Sequence, residues 1–194
     1  MKRIAVRVAA AIGVVILLAI AVTVIRSFGT GPVDRADSAD DAAIRGVVTS
    51  ALHLLQEESL PPSKYTGGPM SAELRAEMSA KAMAEAAQLF TGDGLSWFQT
   101  VVNYNLDEQA SGSIRHLGGG VSRIVFTSIS VTGDQASVDA TEDVWADVGQ
   151  TQDSGMVAVA HPKNTMLAKL LLQRVDRRWY VTDYHAGFAA GSEP

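Results

Sequence analysis

The stretch 165–185 constrains the fold more than any other part of the chain. Its first half is apolar but is interrupted by polar residues, so that one face of a strand here can remain exposed to solvent. Its second half is dense in β-branched and aromatic residues, as strands are. The polar break at Asp176-Arg177 between the two halves predicts a β-hairpin. A two-residue turn there needs positive φ at both positions, which costs an arginine about 1–2 kcal/mol, so a slightly longer or bulged loop is expected.

An apolar run near the N-terminus predicts a membrane anchor. Residues 8–25, VAAAIGVVILLAIAVTVI, contain no charge and as a helix span about 27 Å, close to the hydrocarbon core of a bilayer. The basic residues of the tail 1–7 place the N-terminus in the cytoplasm and the C-terminal domain outside. A cleaved signal peptide is the alternative, but its apolar region is typically shorter and ends at a small-residue site. We therefore predict a single-pass signal-anchor helix at 8–25 in the cell membrane, followed by a linker at 26–37.

Composition excludes several classes of function. The chain has no cysteine, which rules out disulfides, thiol catalysis and thiolate metal sites. Three of the 16 basic residues precede residue 26 and all 21 acidic residues follow it, so the rest of the chain carries a net charge of about −8. This charge argues against nucleic acid and against adhesion to an anionic membrane surface.

The order of predicted elements indicates an α+β fold. Apolar spacing predicts one helix from Ser38 to about residue 58 and a second beginning at Ser71. The region 93–120 is ambiguous, and its glycine-rich second half, 106–120, is expected to be a mobile loop. From Val121 onward, alternation predicts long strands. Two or more helices should therefore pack on a bent antiparallel sheet of about four strands.

The N-terminal helices, the Gly133-Asp134 hairpin and the ending LLLQRVDRRWYVTDY resemble the nuclear transport factor 2-like, cystatin-like α+β roll superfamily. The resemblance covers residues 38–186 and leaves 187–194 as a disordered tail. The chain departs from the pattern at Arg177, where glycine is common. Anchored extracytoplasmic members are familiar in actinobacteria, so the resemblance implies a membrane-anchored protein of actinobacterial type.

The resemblance also implies a cone-shaped cavity between the sheet and the helices. Enzymes of the superfamily (dehydratases, isomerases and epoxide hydrolases) place Asp, His or Tyr side chains there, and many other members bind ligands or partners without catalysis. Fold alone therefore does not settle function.

The end of the last predicted strand carries the candidate catalytic residues, Asp183, Tyr184 and His185. An Asp/His pair on one face of a strand can act as a general base and its orienting group. Regular alternation places Asp183 on the face of Trp179 and Tyr184 on the opposite face. The alternative is that this end is solvated and has no catalytic role.

Four aromatic residues are candidates for lining an apolar pocket or a partner groove, although core packing also explains such residues: Trp97, Tyr104, Trp145 and Trp179. His116 and His161 are placed in loops with no partner at metal-ligand spacing, so neither a metal nor a cofactor is predicted.

These observations favour a membrane-anchored extracytoplasmic binding or interaction domain without a catalytic role. Its expected partners are the lipid bilayer, through residues 8–25, and envelope or membrane proteins, with no nucleic acid. The alternative is a cavity enzyme of the dehydratase or isomerase type that uses an Asp/His or Tyr acid–base group. The ligand and the oligomeric state are left open.

Overall fold

Three helices precede five strands in the part of the chain that the computed structural model describes, residues 38–62, 69–112, 114–152 and 155–192. The helices are α1 (Ser38–Glu57), α2 (Ala72–Ala86) and α3 (Gly92–Ser111). The strands are β1 (Ile114–Thr132), β2 (Gln135–Gln152), β3 (Gly155–Ala160), β4 (Lys163–Val175) and β5 (Arg178–Phe188).

All the strand pairs are antiparallel, and the main sheet has the order β1-β2-β4-β5. The short strand β3 pairs only with the C-terminal part of β2, beyond Trp145, the last β2 residue that pairs with β4. The prediction of helices packed on an antiparallel sheet is confirmed.

The predicted tail 1–7, anchor 8–25 and linker 26–37 lie outside the described residues. Within the described ranges, no helix has the length and apolar character needed to cross a membrane.

The core lies between the three helices and one face of the sheet. Ser71 begins α2 with its hydroxyl accepting a hydrogen bond from the Leu74 amide at 3.2 Å, which supplies one of the acceptors that a helix start lacks. The helices bury apolar side chains at helical spacing, namely Ile44, Val48, Ala51, Leu52, Leu55, Met78, Ala82, Ala86, Phe98, Val102 and Leu106. The inner face of the sheet contributes Val131, Ala136, Val138, Ala168, Leu170, Leu172, Trp179, Val181 and Tyr184.

The glycine-rich segment is a strand, so the expectation of a mobile loop over 106–120 is wrong. Helix α3 continues to Ser111, and β1 begins at Ile114. A methyl group on Gly118 would lie 3.2 Å from the Trp145 ring, and one on Gly119 would lie 3.2 Å from the Gln56 carbonyl. The absence of side chains at these glycines therefore leaves room for the Trp145 ring on one face of β1 and for the end of α1 on the other. Close approach of this kind is a common reason for glycine within a strand.

The β4–β5 hairpin closes through a two-residue turn, so the expectation of a longer loop is wrong. Asp176 and Arg177 have φ values of 47° and 66°, and Val175 pairs directly with Arg178. The primed turn matches the twist of the two strands, and their pairing holds both residues in the left-handed region.

The irregularity of the hairpin lies further along, at Thr182. Leu172 pairs with Val181 and Leu171 pairs with Asp183, so that Thr182 is an extra, unpaired residue. A one-residue bulge moves the following side chains to the opposite faces of the sheet. Tyr184 therefore joins the core, whereas regular alternation had placed it on the face opposite to Trp179.

The bulge lies where the α2–α3 connection meets β5. The Val181 amide donates to the Leu89 carbonyl at 2.8 Å, and the Thr91 amide donates to the Val181 carbonyl at 3.0 Å. A methyl group on Gly94 would lie only 2.8 Å from that carbonyl oxygen. The start of α3 can thus approach β5 only because residue 94 has no side chain.

β5 extends to Phe188, past the domain boundary expected at residue 186. The Ala189 amide donates to the Thr165 carbonyl at 2.8 Å, and the Ser192 hydroxyl accepts from the Thr165 amide. These hydrogen bonds hold residues up to 192 against β4, in contrast to the disordered tail expected for 187–194.

Candidate functional site

A groove separates α1 from α2 on the surface away from the sheet. It arises because α2 packs mainly against α3, which leaves the α1 side of α2 open. Its volume is about 900 Å³. We call it the α1–α2 groove, and it is lined by Thr49, Ser50, His53, Leu54, Glu57, Glu58, Leu60, Pro62, Leu74, Glu77, Met78, Lys81, Ala82, Glu85, Gln88 and Leu89.

The floor of the α1–α2 groove is apolar. Leu54 from α1 and Met78 and Ala82 from α2 are buried there, while Leu74 and Leu89 are partly buried at its two ends. The α2 residues recur at helical spacing, so they form one stripe along the helix. An apolar floor beneath a polar rim is typical of a protein or ligand binding surface.

The rim of the groove is acidic. Glu57, Glu77 and Glu85 are exposed along it. His53 Nδ1 lies 3.5 Å from Glu57 Oε1, and Lys81 Nζ lies 3.9 Å from Glu85 Oε1. Among the described residues that line the groove, Lys81 is the only lysine or arginine, so this part of the rim has a negative charge.

Glu58 lies in the wall of the groove and is only 7% exposed. Its Oε1 accepts a hydrogen bond from Asn105 Nδ2 at 2.9 Å, while its Oε2 has no hydrogen-bond partner among the described residues. Burial raises the pKa of Glu58 to about 8, against a smaller lowering by Asn105. At neutral pH this carboxyl therefore holds its proton more often than not.

A set of buried polar contacts supports the end of α1 beside Glu58. Gln109 donates from Nε2 to the Ser59 carbonyl at 2.7 Å, and its Oε1 accepts from the His116 amide at 3.1 Å. The Ser59 hydroxyl lies 2.6 Å from His116 Nδ1. Burial lowers the pKa of His116 to about 4, so this imidazole is neutral. His116 thus belongs to β1 and not to a loop, as its sequence context had suggested.

The three candidate catalytic residues lie on both faces of β5. Asp183 and His185 face outward, where His185 Nε2 lies 3.0 Å from Asp183 Oδ2 and both side chains are about half exposed. Tyr184 faces the core and is 4% exposed. The structure therefore brings the Asp/His pair together but separates it from the tyrosine, and a catalytic role for the three stays a prediction.

Tyr184 instead meets an acid that is absent from the sequence candidates. Its hydroxyl donates to Glu142 Oε1 at 3.0 Å, and Glu142 is fully buried on β2 with Oε2 unpartnered among the described residues. Burial raises the pKa of Glu142 to about 7, and burial together with Glu142 raises that of Tyr184. The signal for this site was present, because Glu142 falls in phase with Val138 and Ala140 on the apolar side of its strand.

The four aromatic candidates do not share one pocket. The ring of Trp97 lies 5.2 Å from that of Tyr184, and Tyr104 is 48% exposed on α3. Trp179 is buried and donates from Nε1 to Asp40 Oδ1 at 3.0 Å, which ties the hairpin to the start of α1. None of these three lies in the α1–α2 groove, and their ligand-binding role stays a prediction.

Trp145, the fourth aromatic candidate, lines an open depression on the outer face of the sheet, with a volume of about 1020 Å³. Beside it, His161 Nδ1 lies 2.7 Å from Asp147 Oδ1, and Lys163 is the residue that pairs with Trp145 across the strands. Within the described residues, no three His, Asp or Glu side chains come close enough together to hold a metal ion. The depression offers polar groups, among them the buried Asn164, and one aromatic ring, but it is open to solvent.

Comparison with solved structures identifies proteins of similar fold. No family model matches the sequence, and no curated protein matches it either. A nuclear transport factor 2-like superfamily protein from Salmonella enterica serovar Typhimurium is similar in structure, with a TM-score of 0.50 and 12% identity over 81% of this chain and 96% of that one.

Two further solved structures have weaker similarity. A cystatin-like protein of unknown function from Nostoc punctiforme has a TM-score of 0.43 and 12% identity over 81% of this chain and 97% of that one. The intermembrane space region of the chloroplast protein ARC6 has a TM-score of 0.48 and 14% identity over 80% of this chain and 100% of that one. At such low identity a likeness concerns the fold alone. The chain has the α+β roll fold of the nuclear transport factor 2-like proteins, as its sequence resemblance implied.

Proposed function

We propose that this protein is a membrane-anchored extracytoplasmic interaction domain that binds a partner protein in the α1–α2 groove and performs no catalysis. The observation that carries the proposal is the groove itself, which combines an apolar floor, an acidic rim and about 900 Å³ of open volume. An open groove with an apolar floor beneath a polar rim marks a place where another molecule binds.

The membrane location rests on the sequence. Residues 8–25 have the length and composition of a spanning helix, and the basic tail before them favours a cytoplasmic N-terminus. A short linker, 26–37, then keeps α1 close to the outer surface of the membrane. Partners are therefore expected among envelope or membrane proteins, in an actinobacterial type of cell.

The positions of the acid–base candidates support binding over catalysis. Asp183 and His185 lie in solvent on the outer face, where no wall excludes water from a reacting group. Glu142 and Tyr184 lie in the core, where neither oxygen is open to a substrate. The groove, in contrast, is both accessible and partly apolar.

A cavity enzyme of the dehydratase or isomerase type is the second candidate, and the Glu142–Tyr184 pair favours it. A carboxyl whose pKa is about 7 can serve as acid and as base near neutral pH. This function requires a movement that opens the core to a substrate. It therefore ranks below binding at a groove that is already open.

Site-specific photo-crosslinking in native membranes tests the proposal. A photoreactive residue replaces Lys81 on the groove rim in the full chain, and the matched control carries it at Leu167, which is 54% exposed on the sheet. Defined adducts from position 81 that are absent from position 167 are expected. Equal adduct patterns from the two positions, or no adducts from position 81, would overturn the proposal.

The anchor is tested separately by extraction. The full chain is expected to stay in the membrane pellet at alkaline pH with its N-terminal methionine or Lys2 intact, and to leave the pellet when residues 8–25 are deleted. A mature protein that begins after residue 25 would show a cleaved signal peptide instead.

A further inference from the structure

We infer that the occupant of the α1–α2 groove is a basic amphipathic helix of the partner protein, one of whose Lys or Arg side chains bonds to Glu58. The inference rests on the proposed function, because it names the kind of partner that the same groove takes.

The shape of the groove favours a helix. Its α2 wall runs along that helix from Leu74 to Glu85, which is about 17 Å and matches roughly three turns of a bound partner helix. Both walls are helices, whose backbone hydrogen bonds are satisfied internally. An extended peptide would find no strand edge to pair with there, whereas a helix brings its own hydrogen bonds.

The floor of the groove fits the apolar face of such a helix. Leu54, Met78 and Ala82 form a stripe into which side chains at i, i+3, i+4 and i+7 of a partner helix can pack. Met78 is flexible enough to adjust to different apolar side chains. These three side chains are already largely buried, so the apolar gain on binding comes mainly from the apolar face of the partner helix and from the partly buried Leu74 and Leu89.

The rim of the groove selects a positive charge. Glu57, Glu77 and Glu85 face solvent around it, and of the described lining residues only Lys81 is a lysine or arginine that offsets them. A helix with Lys or Arg on the flanks of its apolar face would be attracted to this rim, and an acidic helix would be repelled.

Glu58 gives the groove a specific recognition group. One carboxyl oxygen is bonded to Asn105, and the other has no partner among the described residues, although the side chain is buried. This oxygen is not accessible from the groove until the Glu58 side chain turns toward it. A buried acceptor without a partner is unfavourable, so a ligand donor that meets the turned carboxyl gains more here than at the surface. A cationic donor would also favour loss of the carboxyl proton and give a charge-assisted hydrogen bond.

The inference is tested with two synthetic probe helices of about 18 residues that share one leucine face, one with lysine and one with glutamate on its flanks. Binding to the purified full chain in neutral detergent is followed by fluorescence anisotropy. We expect the lysine probe to bind at least about tenfold more tightly than the glutamate probe.

Substitutions then show whether the lysine probe binds to the groove itself or is attracted by the overall negative charge of the chain. Glu77→Gln and Glu58→Gln are each expected to weaken the lysine probe, Glu58→Gln by about tenfold because its loss removes a buried charge-assisted bond. Glu73→Gln is the matched control, since Glu73 is exposed on the same helix but does not line the groove. It should leave binding unchanged, and circular dichroism verifies that each variant is folded.

Three results would overturn the inference. Equal binding of the two probes would show a groove that takes apolar helices regardless of charge, and no binding of either would show that it does not take a helix. An equal loss of lysine-probe affinity in Glu73→Gln and Glu77→Gln would show that the probe responds to the overall negative charge and not to the groove. In each case photo-crosslinked adducts confined to position 81 in membranes would still support the proposed function. Their absence would contradict both the proposed function and this inference.

Discussion

The hydroxyl of Tyr184 on β5 reaches across β4 and donates a hydrogen bond to Glu142 on β2 at 3.0 Å. Both residues are buried, and the second carboxyl oxygen of Glu142 has no partner among the described residues. The sheet therefore encloses a carboxylic acid with a single hydrogen bond to hold it. Such a group is costly to bury and sensitive to any loss of its partner.

Replacement of Tyr184 with phenylalanine should destabilise the protein. The change leaves the Glu142 carboxyl without a partner, which costs about 1–3 kcal/mol of unfolding free energy. Urea denaturation followed by circular dichroism measures the loss. Tyr180→Phe is the control, since Tyr180 is only partly buried on the same strand, and a similar loss in both variants would contradict the importance of the buried pair.

The stability of the protein should fall as the pH rises from about 4.5 to 8. Burial raises the folded-state pKa of Glu58 to about 8 and that of Glu142 to about 7, above their ordinary value of 4.5. The two acids thus give the folded state more bound protons than the unfolded state in this window, so the stabilisation they provide is complete below pH 4.5 and is lost as the pH approaches these values. The lowered pKa of His116 offsets part of this slope below pH 6.5, but one imidazole does not cancel two carboxyls. Thermal or urea unfolding at pH 5, 6, 7 and 8 measures the slope.

Replacement of each buried acid with glutamine tests which carboxyl causes the pH dependence of stability. Glu142→Gln should flatten the slope mainly below pH 7, and Glu58→Gln should flatten it up to pH 8, because neither amide titrates. Asp183→Asn serves as the control, since Asp183 is half exposed on the outer face. A slope that is unchanged in both glutamine variants would contradict the buried-acid origin.

The periodicity of the sequence was sufficient to predict the α+β architecture. Apolar spacing located α1 and the start of α2, and alternation located β2, because each of these elements has one side against the core. The β4–β5 hairpin was also predictable, although its turn was not. Arg177 adopts φ of 66° because strand pairing on both sides dictates a two-residue turn.

The candidate site depended on features that alternation does not reveal. The bulge at Thr182 exchanges the faces of Asp183 and Tyr184, and it lies against the α2–α3 connection, which is distant in sequence. Glu142 could have been found, since it is the one charged residue in phase with the apolar side of β2. The α1–α2 groove could not, because it depends on how α2 leans toward α3.

The close approach of α3 to the bulge predicts that a glycine-to-alanine substitution at Gly94 lowers the stability of the protein. A methyl group at Gly94 would lie 2.8 Å from the Val181 carbonyl oxygen and 2.9 Å from the Thr182 carbonyl carbon, both backbone atoms. Gly94→Ala should therefore destabilise the protein by about 1–3 kcal/mol through overpacking, despite the better helix propensity of alanine.

Gly46 is the matched comparison, since it is exposed in α1 with nothing within 4 Å of the added methyl. Gly46→Ala should stabilise the protein by about 1 kcal/mol, because alanine favours the helix. Urea midpoints of both variants measure the difference. A gain in stability from Gly94→Ala would mean that α3 can move away from β5 at little cost.

The turn of the β4–β5 hairpin offers a stabilising substitution. Arg177 has φ of 66°, which costs a side chain with Cβ about 1–2 kcal/mol relative to glycine. Arg177→Gly removes this strain, and the Asp-Gly pair that results is a preferred sequence for a two-residue primed turn. We expect the unfolding free energy to rise by about 1 kcal/mol, less than the full strain because glycine is also more flexible in the unfolded chain. Arg178→Gly, one residue further on and inside β5, should instead lower it, and a loss of stability in both variants would show that the Arg177 side chain contributes more than its backbone strain costs.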